Sequence, residues 1–260
     1  MSDKISLAPA IQAELNSREF EVVRGCDVPE FLEKSDVVSL PSWPEFMMND
    51  AIANRLWVEL NLKHKHFQFA LLEQGTQKWI AVGNSIPIHF SEPIETLPDA
   101  GWDWALQSGM DAKQTPNLLC ALAIQILPEY RGAGLSTLMI QVMREIGRSE
   151  GFEKLVAPVR PNKKCDYPLI PMETYIQWTK SGERFDPWLR VHERLGARIL
   201  KVCPRAMEIY GTVEDWEAWT GMTFQSSGKY IIPGALSPID MVIENNRGEY
   251  IEPNVWMLHG

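Results

Sequence analysis

Residues 128–136 read Pro-Glu-Tyr-Arg-Gly-Ala-Gly-Leu-Ser and lie between an apolar run and a helical pattern. The run before them, residues 117–127, is apolar on both faces, which is typical of a central strand covered on each side. After the turn, apolar residues from Leu135 to Ile146 recur with the spacing of one helix face, which predicts an amphipathic helix capped by Gly151. A short strand over residues 154–159 follows. The sequence therefore predicts a strand, a turn, a helix and a second strand.

The turn has the properties of an anion-binding loop. Gly132 and Gly134 carry no Cβ atom, so the backbone there can come close to a ligand. The first turn of the following helix directs its unpaired N–H groups and its positive dipole end to the same place. The stretch lacks the Gly-Lys-Ser/Thr ending of a Walker loop and the third glycine of a dinucleotide-binding fingerprint. We therefore expect a phosphate site of another kind.

This segment resembles motif A of the GNAT acyltransferase superfamily, whose pattern is Gln/Arg-x-x-Gly-x-Gly/Ala. Arg131 and Gly134 match the pattern, whereas Ser136 takes its last position and departs from it. The resemblance spans residues 67–210 and includes the order strand, helix, strand, helix, strand. It implies an α/β (α+β) GNAT fold, in which a mixed, mostly antiparallel central sheet is flanked by helices and two central strands splay apart.

The resemblance also implies a co-substrate, acetyl-CoA or another acyl-CoA, with its pyrophosphate on the turn and its pantetheine arm between the splayed strands. The residues expected to bind it are Ile126, Leu127, Arg131, Gly132, Ala133, Gly134, Leu135, Ser136 and Asn162. Pro158 fits a splay on physical grounds, because proline cannot donate in a sheet ladder. The alternative is that Pro158 simply ends a short strand.

In many relatives the last helix of the motif reads Tyr-x-x-x-Gly-Phe, and the tyrosine protonates the leaving thiolate. The same spacing here gives His192 and Gly196. An imidazolium with a pKa near 6.5 can supply a proton at neutral pH, so His192 is the candidate general acid, with a core histidine as the alternative. Tyr175 is a second candidate proton source. The candidate general bases, none of which belongs to a motif, are Glu173, Asp103 and Glu208.

Aromatic residues near the expected thioester predict a pocket for the acceptor. Trp102 and Trp104 precede the central strand, and Trp178 lies in an insertion over residues 166–186 that we expect to overhang the site. Small-ligand sites are mostly apolar with few polar groups, so these three are the candidate substrate-binding residues. Packing in the core is the alternative for each of them.

These observations lead us to expect an enzyme, an acyl-CoA-dependent N-acyltransferase that most simply transfers acetyl to a small-molecule amine. One alternative is a GNAT-like malonyl-thioester decarboxylase or S-acyltransferase of the polyketide-loading kind, since a histidine can also hydrogen-bond a thioester enolate. The other alternative is a non-catalytic acyl-CoA-binding protein.

Composition limits the partners and the compartment. A net charge of −9 over 260 residues argues against sequence-independent nucleic-acid binding. The longest uncharged apolar stretch, residues 118–127, is too short to span a membrane, and residues 1–6 do not resemble a secretory signal, so we expect a cytoplasmic chain. The four cysteines are widely spaced, and we expect no metal despite the His64–Lys65–His66 pattern. A homodimer is left open.

The chain divides into an N-terminal helical extension over residues 1–62, an acyl-CoA-binding core over 63–212 and a C-terminal extension over 213–260 that packs on the core. Apolar runs at 67–72 and 79–88 predict a β-hairpin. The other elements predicted are helices over 7–15, 44–60 and 187–195, a strand over 20–24, and a closing hairpin formed by 197–202 and 206–210.

Overall fold

The computed structural model describes residues 7–260, within which helices pack against both faces of a nine-stranded sheet. The strands are β1 Phe20–Arg24, β2 Gln68–Glu73, β3 Trp79–Ile88, β4 Leu118–Ile126, β5 Leu155–Val159, β6 Thr179–Lys180, β7 Glu183–Arg184, β8 Arg198–Gly211, β9 Gly228–Tyr230, β10 Ile239–Val242 and β11 Arg247–His259. The helices are α1 Pro9–Ser17, α2 Phe31–Ser39, α3 Ala51–Lys63, α4 Gly101–Met110, α5 Leu135–Ser149, α6 Met172–Tyr175, α7 Pro187–Arg194 and α8 Val213–Thr220.

The main sheet has the order β1-β2-β3-β4-β5-β11-β10-β9, with β8 paired to β11 and the small hairpin β6–β7 apart from it. Every neighbouring pair is antiparallel except β4 and β5, which are parallel. The predicted mixed, mostly antiparallel sheet flanked by helices is confirmed. The strand, turn, helix and strand around residues 128–136 are also present.

Strands β4 and β5 pair only briefly. Their pairing is limited to Leu119 with Leu155 and Cys120 with Val156. Immediately beyond, β4 carries a β-bulge at Leu122, where its register against β3 shifts by one residue. A bulge bends its strand and interrupts pairing, so β4 turns away from β5 and an opening forms between the two strands.

Pro158 lies in β5 two residues beyond the last rung with β4, opposite Trp256 of β11. The strand continues to Val159. The missing N–H group of Pro158 is tolerated because β4 has already diverged from β5. This favours the interpretation that Pro158 lies where the two strands splay apart over the alternative that it simply ends a short strand.

Helix α5 covers one face of the sheet with the apolar stripe that the sequence predicts. Its buried residues include Leu135, Leu138, Met139, Val142, Met143 and Ile146. These side chains share a core cluster with Leu15 of α1 and Leu119 of β4. On the opposite face, Trp102 of α4 packs in a separate cluster with Cys120 and Leu122 of β4. The two faces of β4 therefore belong to different cores.

Several sequence-based predictions are corrected here. The predicted closing hairpin over 197–210 is wrong, because β8 is one strand that pairs with β11 throughout, and Pro204 lies where the register shifts between Glu252 and Asn254. The predicted helix over 44–60 is interrupted at Asp50, which separates a 3-10 segment from α3. Helices α2 and α4 were not predicted. Strands β1 and β11 join the main sheet, so both predicted extensions contribute strands to the core sheet.

The four cysteines are free thiols. Within residues 7–260, no helix has the length and apolar character needed to cross a membrane. Over the same part of the chain, no group of three or more His, Cys, Asp or Glu side chains is arranged to hold a metal ion. The expectation about a secretory signal concerns residues 1–6, which lie outside the described residues.

Candidate active site

The turn before α5 adopts a backbone conformation that requires glycine. Gly132 and Gly134 have φ values of +82° and +79°, in the left-handed region that L side chains rarely adopt. Gly134 is the residue immediately before α5, and no side chain caps the helix there. Residues 131–134 are exposed. The first N–H groups of a 15-residue helix are therefore open to an anion from solvent.

Two arginines lie on this turn. Arg131 donates from Nε to the carbonyl oxygen of Ile126 at 3.1 Å. Arg18, at the end of α1, donates from Nη1 to the carbonyl oxygen of Ala133 at 2.7 Å. Its Nη2 lies 3.8 Å from the position that a Cβ on Gly134 would occupy. Arg18 could not be predicted from the sequence, because 115 residues separate it from Ala133 and no local pattern links them.

The remaining predicted cofactor residues lie at the same edge of the sheet. Ile126 ends β4, Leu127 follows it, and both are partly buried. Asn162 is exposed and follows the end of β5. Because β4 and β5 are parallel, their carboxyl ends lie at one edge. The structure thus brings residues 126–136 together, with Asn162 across the opening.

His192 lies on the inner face of α7 and is 3% exposed. Its Nδ1 is 2.8 Å from Nε2 of His259, and its ring contacts Trp188 edge to face, with the ring centroids 4.5 Å apart. Burial, and then the charge of His259, lower the pKa of His192 to about 3. A pKa of about 3 does not fit the imidazolium with a pKa near 6.5 on which the general-acid prediction rests, because burial disfavours the charged ring. The catalytic role of His192 stays a prediction.

Tyr175 is 1% exposed, and its hydroxyl donates to Oδ2 of Asp186 at 2.8 Å. Asp186 also caps α7, since its Oδ1 accepts from the backbone N–H groups of Trp188 and Leu189. Burial, and then the Asp186 carboxylate, raise the pKa of Tyr175 well above its ordinary value. Tyr175 thus braces the start of α7. Glu173 is exposed on α6, so its carboxylate faces solvent.

A pair of carboxyl groups joins α3 to α4. Asp50 is fully buried and accepts through Oδ1 from the N–H of Ala53 at 2.7 Å, while Asp103 accepts through Oδ2 from the N–H of Glu208 at 3.2 Å. Apart from the other carboxyl group of the pair, no donor among residues 7–260 reaches their other oxygens, Asp50 Oδ2 and Asp103 Oδ1. The two carboxyl groups hydrogen-bond each other, and burial, then the Asp50 charge, raise the pKa of Asp103 to about 8. At neutral pH the pair therefore holds one proton.

The third candidate base, Glu208, is engaged elsewhere. Its Oε1 accepts from Nε of Arg205 at 2.7 Å, and its Oε2 accepts from the hydroxyl of Tyr210. Of the three carboxylates considered as bases, Asp103 is the one held in a buried hydrogen-bonded pair. The burial of Asp103 and its pairing with Asp50 could not be predicted from the sequence.

A buried ion pair lies beyond the end of β5. Nε of Arg160 donates to both carboxylate oxygens of Glu252, at 2.9 and 3.0 Å, and the Tyr250 hydroxyl donates to the same carboxylate at 2.8 Å. Glu252 is fully buried. Its charge contributes to the raised pKa of Asp50, so the two acidic groups lie within one electrostatic environment.

The predicted aromatic residues lie on opposite faces of the sheet. Trp102 donates from Nε1 to the carbonyl oxygen of Leu122, the bulge residue of β4, at 2.8 Å, and Trp104 contacts Trp256 edge to face. Both pack in the core cluster on the α4 face. Trp178 packs in the cluster of α6 and α7. The structure therefore brings Trp102 and Trp104 together and leaves Trp178 apart from them.

These residues divide between the two faces of the sheet. The glycine turn, its two arginines and His192 belong to the face covered by α1, α5 and α7. The Asp50–Asp103 pair, Trp102 and Trp104 belong to the face of α3 and α4.

Comparisons with known proteins give the family and the fold. No family model matches the chain. Arginine N-acetyltransferase avaD from Aspergillus versicolor is 32% identical over 247 residues, which cover 84% of each chain. The loading GNATL domain of CurA from Lyngbya majuscula superposes with a TM-score of 0.59 at 22% identity, over 92% of this chain and 96% of that one. The GphF GNAT-like decarboxylase, in complex with isobutyryl-CoA, gives a TM-score of 0.54 at 15% identity, over 93% and 98%.

The sheet diverges between two parallel strands, next to a glycine turn and the N-terminus of a helix, and this is the α/β fold of an acyltransferase. The chain belongs to the GNAT superfamily. Within that superfamily it is an N-acyltransferase. The two solved structures share its fold, and the resemblance inferred from Arg131 and Gly134 is confirmed.

Proposed function

We propose that this enzyme transfers an acetyl group from acetyl-CoA to the amine of arginine or of a closely similar cationic small molecule. The observation that carries the proposal is the opening between β4 and β5, with an anion-binding turn on one face and a carboxyl pair on the other. The relative named arginine N-acetyltransferase supports both the acetyl group and the acceptor.

The donor end is suited to the pyrophosphate of coenzyme A. The N–H groups at the start of α5 are uncapped, and Arg18 and Arg131 place two positive charges on the turn. Such donors bind phosphate oxygens strongly, because charge-assisted hydrogen bonds are shorter and stronger than neutral ones. Beyond Cys120, the edge of β4 that faces β5 pairs with no strand among residues 7–260, so its backbone groups can bind the pantetheine amides. The bound co-substrate supplies the acyl thioester.

The acceptor end is suited to a cation. The Asp50–Asp103 pair carries one negative charge at neutral pH, and Glu252 lies in the same environment. Opposite charges attract more strongly in a partly buried site than in bulk water. An arginine amine arrives as an ammonium and must lose a proton before it can attack the thioester. The deprotonated form of Asp103 is the base that can take that proton, and a pKa of about 8 makes this form basic enough, so we assign deprotonated Asp103 as the proton acceptor.

The alternative of malonyl-thioester decarboxylation or thiol acylation rests on one feature. His192 is a neutral imidazole at the position where many relatives carry tyrosine, and a neutral imidazole can hydrogen-bond an enolate. The carboxyl pair favours amine acylation instead, because decarboxylation does not require a second, cationic substrate.

A substrate panel tests the proposal. The purified protein is incubated with acetyl-CoA and, in separate reactions, with arginine, agmatine, lysine or tyramine, and the products are identified by mass spectrometry. We expect acetylated arginine or agmatine and little acetyltyramine. Release of carbon dioxide from malonyl-CoA without any amine, together with no acetylated amine, would contradict the proposal and favour the decarboxylase.

A further inference from the structure

His192 does not stand alone in the core. His259, in the last strand of the chain, places its Nε2 2.8 Å from Nδ1 of His192, and the two ring centroids are 5.1 Å apart. Both rings are buried, with 3% and 1% of their surface exposed. Sequence reasoning missed this contact because 67 residues separate the two histidines.

The contact fixes the direction of the other ring nitrogen. The Nδ1 and Nε2 atoms of an imidazole point away from each other, so Nε2 of His192 is directed away from His259. His259 lies opposite Leu155, in the rung where β5 still pairs with β4. Leu189, one turn before His192, packs with Ala157 and Val159, where the strands have diverged. Nε2 of His192 is buried and has no hydrogen-bond partner among residues 7–260.

The surroundings of His259 favour one arrangement of the ring hydrogens. Burial, and then the charge of Arg144, lower the pKa of His259 to about 4. A hydrogen bond with the carbonyl oxygen of Leu195 has a smaller effect in the opposite direction. Among the described residues, no partner is well aligned with Nδ1 of His259, and Nε2 of His259 already contacts His192. Because a carbonyl can only accept, it favours a hydrogen on Nδ1 of His259. Nε2 of His259 then accepts, and Nδ1 of His192 donates to it.

Arg144 supports this end of the pair. It donates from Nη1 to the same Leu195 carbonyl at 3.2 Å and from Nη2 to the carbonyl oxygen of Gly260. These bonds tie α5 to the end of α7 and to the residue after β11. They hold the backbone that follows each of the two histidines in the chain.

We propose that His259 is a positioning residue, which holds His192 with its ring hydrogen on Nδ1 and its Nε2 lone pair directed toward the opening between β4 and β5. There, Nε2 accepts a hydrogen bond from the N–H of the incoming amine after the amine has lost its proton. That bond orients the lone pair of the amine nitrogen toward the acyl carbon. The role of Nε2 in orienting the amine rests on the proposed acyl transfer, whereas the arrangement of the ring hydrogens does not.

Nitrogen-15 NMR of histidine-labelled protein without ligand tests the arrangement directly. The chain has 5 histidines, and the spectrum of His192→Phe assigns the resonances of His192. We expect both rings to be neutral at pH 7, with His192 protonated on Nδ1 and unprotonated on Nε2. A hydrogen on Nε2 of His192 would overturn the proposal, even if the protein acetylates arginine.

Two substitutions of His259 test its role in catalysis. His259→Gln keeps an amide oxygen that can accept from Nδ1 of His192, whereas His259→Phe keeps the volume and removes the acceptor. We expect His259→Phe to lose the single arrangement of ring hydrogens and to lower kcat by about 10- to 100-fold, with the Kd for coenzyme A unchanged. His259→Gln should recover most of both.

A control separates positioning from mere packing. His66 is exposed, and His66→Gln should leave the resonances of His192 and kcat unchanged. If folded His259→Phe alters only the melting temperature and leaves the His192 resonances and kcat as in the wild type, His259 is structural and the proposal is wrong. Absence of acetylation in every variant and in the wild type, with the expected ring hydrogens present, would instead refute the proposed function alone.

Discussion

Arg18 donates a hydrogen bond from Nη1 to the backbone carbonyl oxygen of Ala133 at 2.7 Å, which ties the end of α1 to the turn that precedes α5. The same guanidinium forms an ion pair with Glu14 at 2.9 Å. A positive charge from the N-terminal part of the chain thus lies beside the uncapped start of α5. The proposed phosphate site therefore includes a residue outside the motif from which it was predicted.

Replacing Arg18 tests this completion. Arg18→Ala removes a charge from the turn, and we expect the Kd for coenzyme A to rise about 10-fold, as calorimetry can measure. Glu14→Gln is the matched control, because it removes the ion-pair partner and leaves Arg18 in place. Equal affinities for wild type and Arg18→Ala would show that Arg18 only joins α1 to the turn.

Gly134→Asp should abolish detectable binding of coenzyme A. The substitution places a Cβ and a carboxylate where φ is +79° and where the helix N-terminus offers its N–H groups. Gly151→Asp is the control for backbone strain, since Gly151 has φ +90° at the other end of α5 and nothing lies within 4 Å of its Cβ position. If both folded variants bind coenzyme A as the wild type does, the turn is not the phosphate site.

The buried histidine pair predicts a specific loss of stability in acid. The pKa values of His192 and His259, about 3 and about 4, lie below the value near 6.5 of the unfolded chain. Below pH 6.5 the unfolded chain therefore binds protons that the fold excludes, and each histidine lowers the free energy of unfolding by up to about 1.4 kcal/mol per pH unit. The stability advantage of the wild type over His192→Phe, measured by urea unfolding, should shrink from pH 7 to pH 4. A constant difference would contradict the burial of a neutral ring.

Asp103 predicts a pH dependence of the opposite sign. Its folded pKa of about 8 lies above the unfolded value, so its contribution to stability is present in acid and is lost as pH rises toward 8. Asp103→Asn should raise the free energy of unfolding at pH 8 by about 1–2 kcal/mol and have a smaller effect at pH 5. It should also lower turnover with arginine while the Kd for coenzyme A stays unchanged.

The matched control for this carboxyl is Asp111→Asn, at the exposed end of the same helix, which should change neither property. A stability change that does not vary with pH in Asp103→Asn would exclude the shared proton. An unchanged turnover would exclude Asp103 as the proton acceptor.

The strand, turn and helix around residues 128–136 could be predicted from the sequence because the residues that determine them are neighbours in the chain. The stripe from Leu135 to Ile146 reports one helix face directly, and Gly134 is required by its own backbone angle. The opening between β4 and β5 followed from the family resemblance and from Pro158, which lacks the N–H that a ladder needs.

The rest of the site depends on contacts between distant segments. Helix α4 was missed because it starts with Gly101 at φ +36°, where a Cβ would lie 2.7 Å from that of Ala206, so packing rather than helix propensity sets its start. The pairs Asp50–Asp103 and His192–His259 each join residues from separate elements. Their pKa values come from burial, which no local pattern of residues reveals.

Amide hydrogen exchange with each substrate added separately tests most directly whether donor and acceptor bind on opposite faces of one opening. We predict that coenzyme A slows exchange in residues 131–137, and that arginine slows exchange at the start of α4, residues 101–104, without affecting the turn. Protection of the turn by arginine, or no protection of the turn by coenzyme A, would contradict the account.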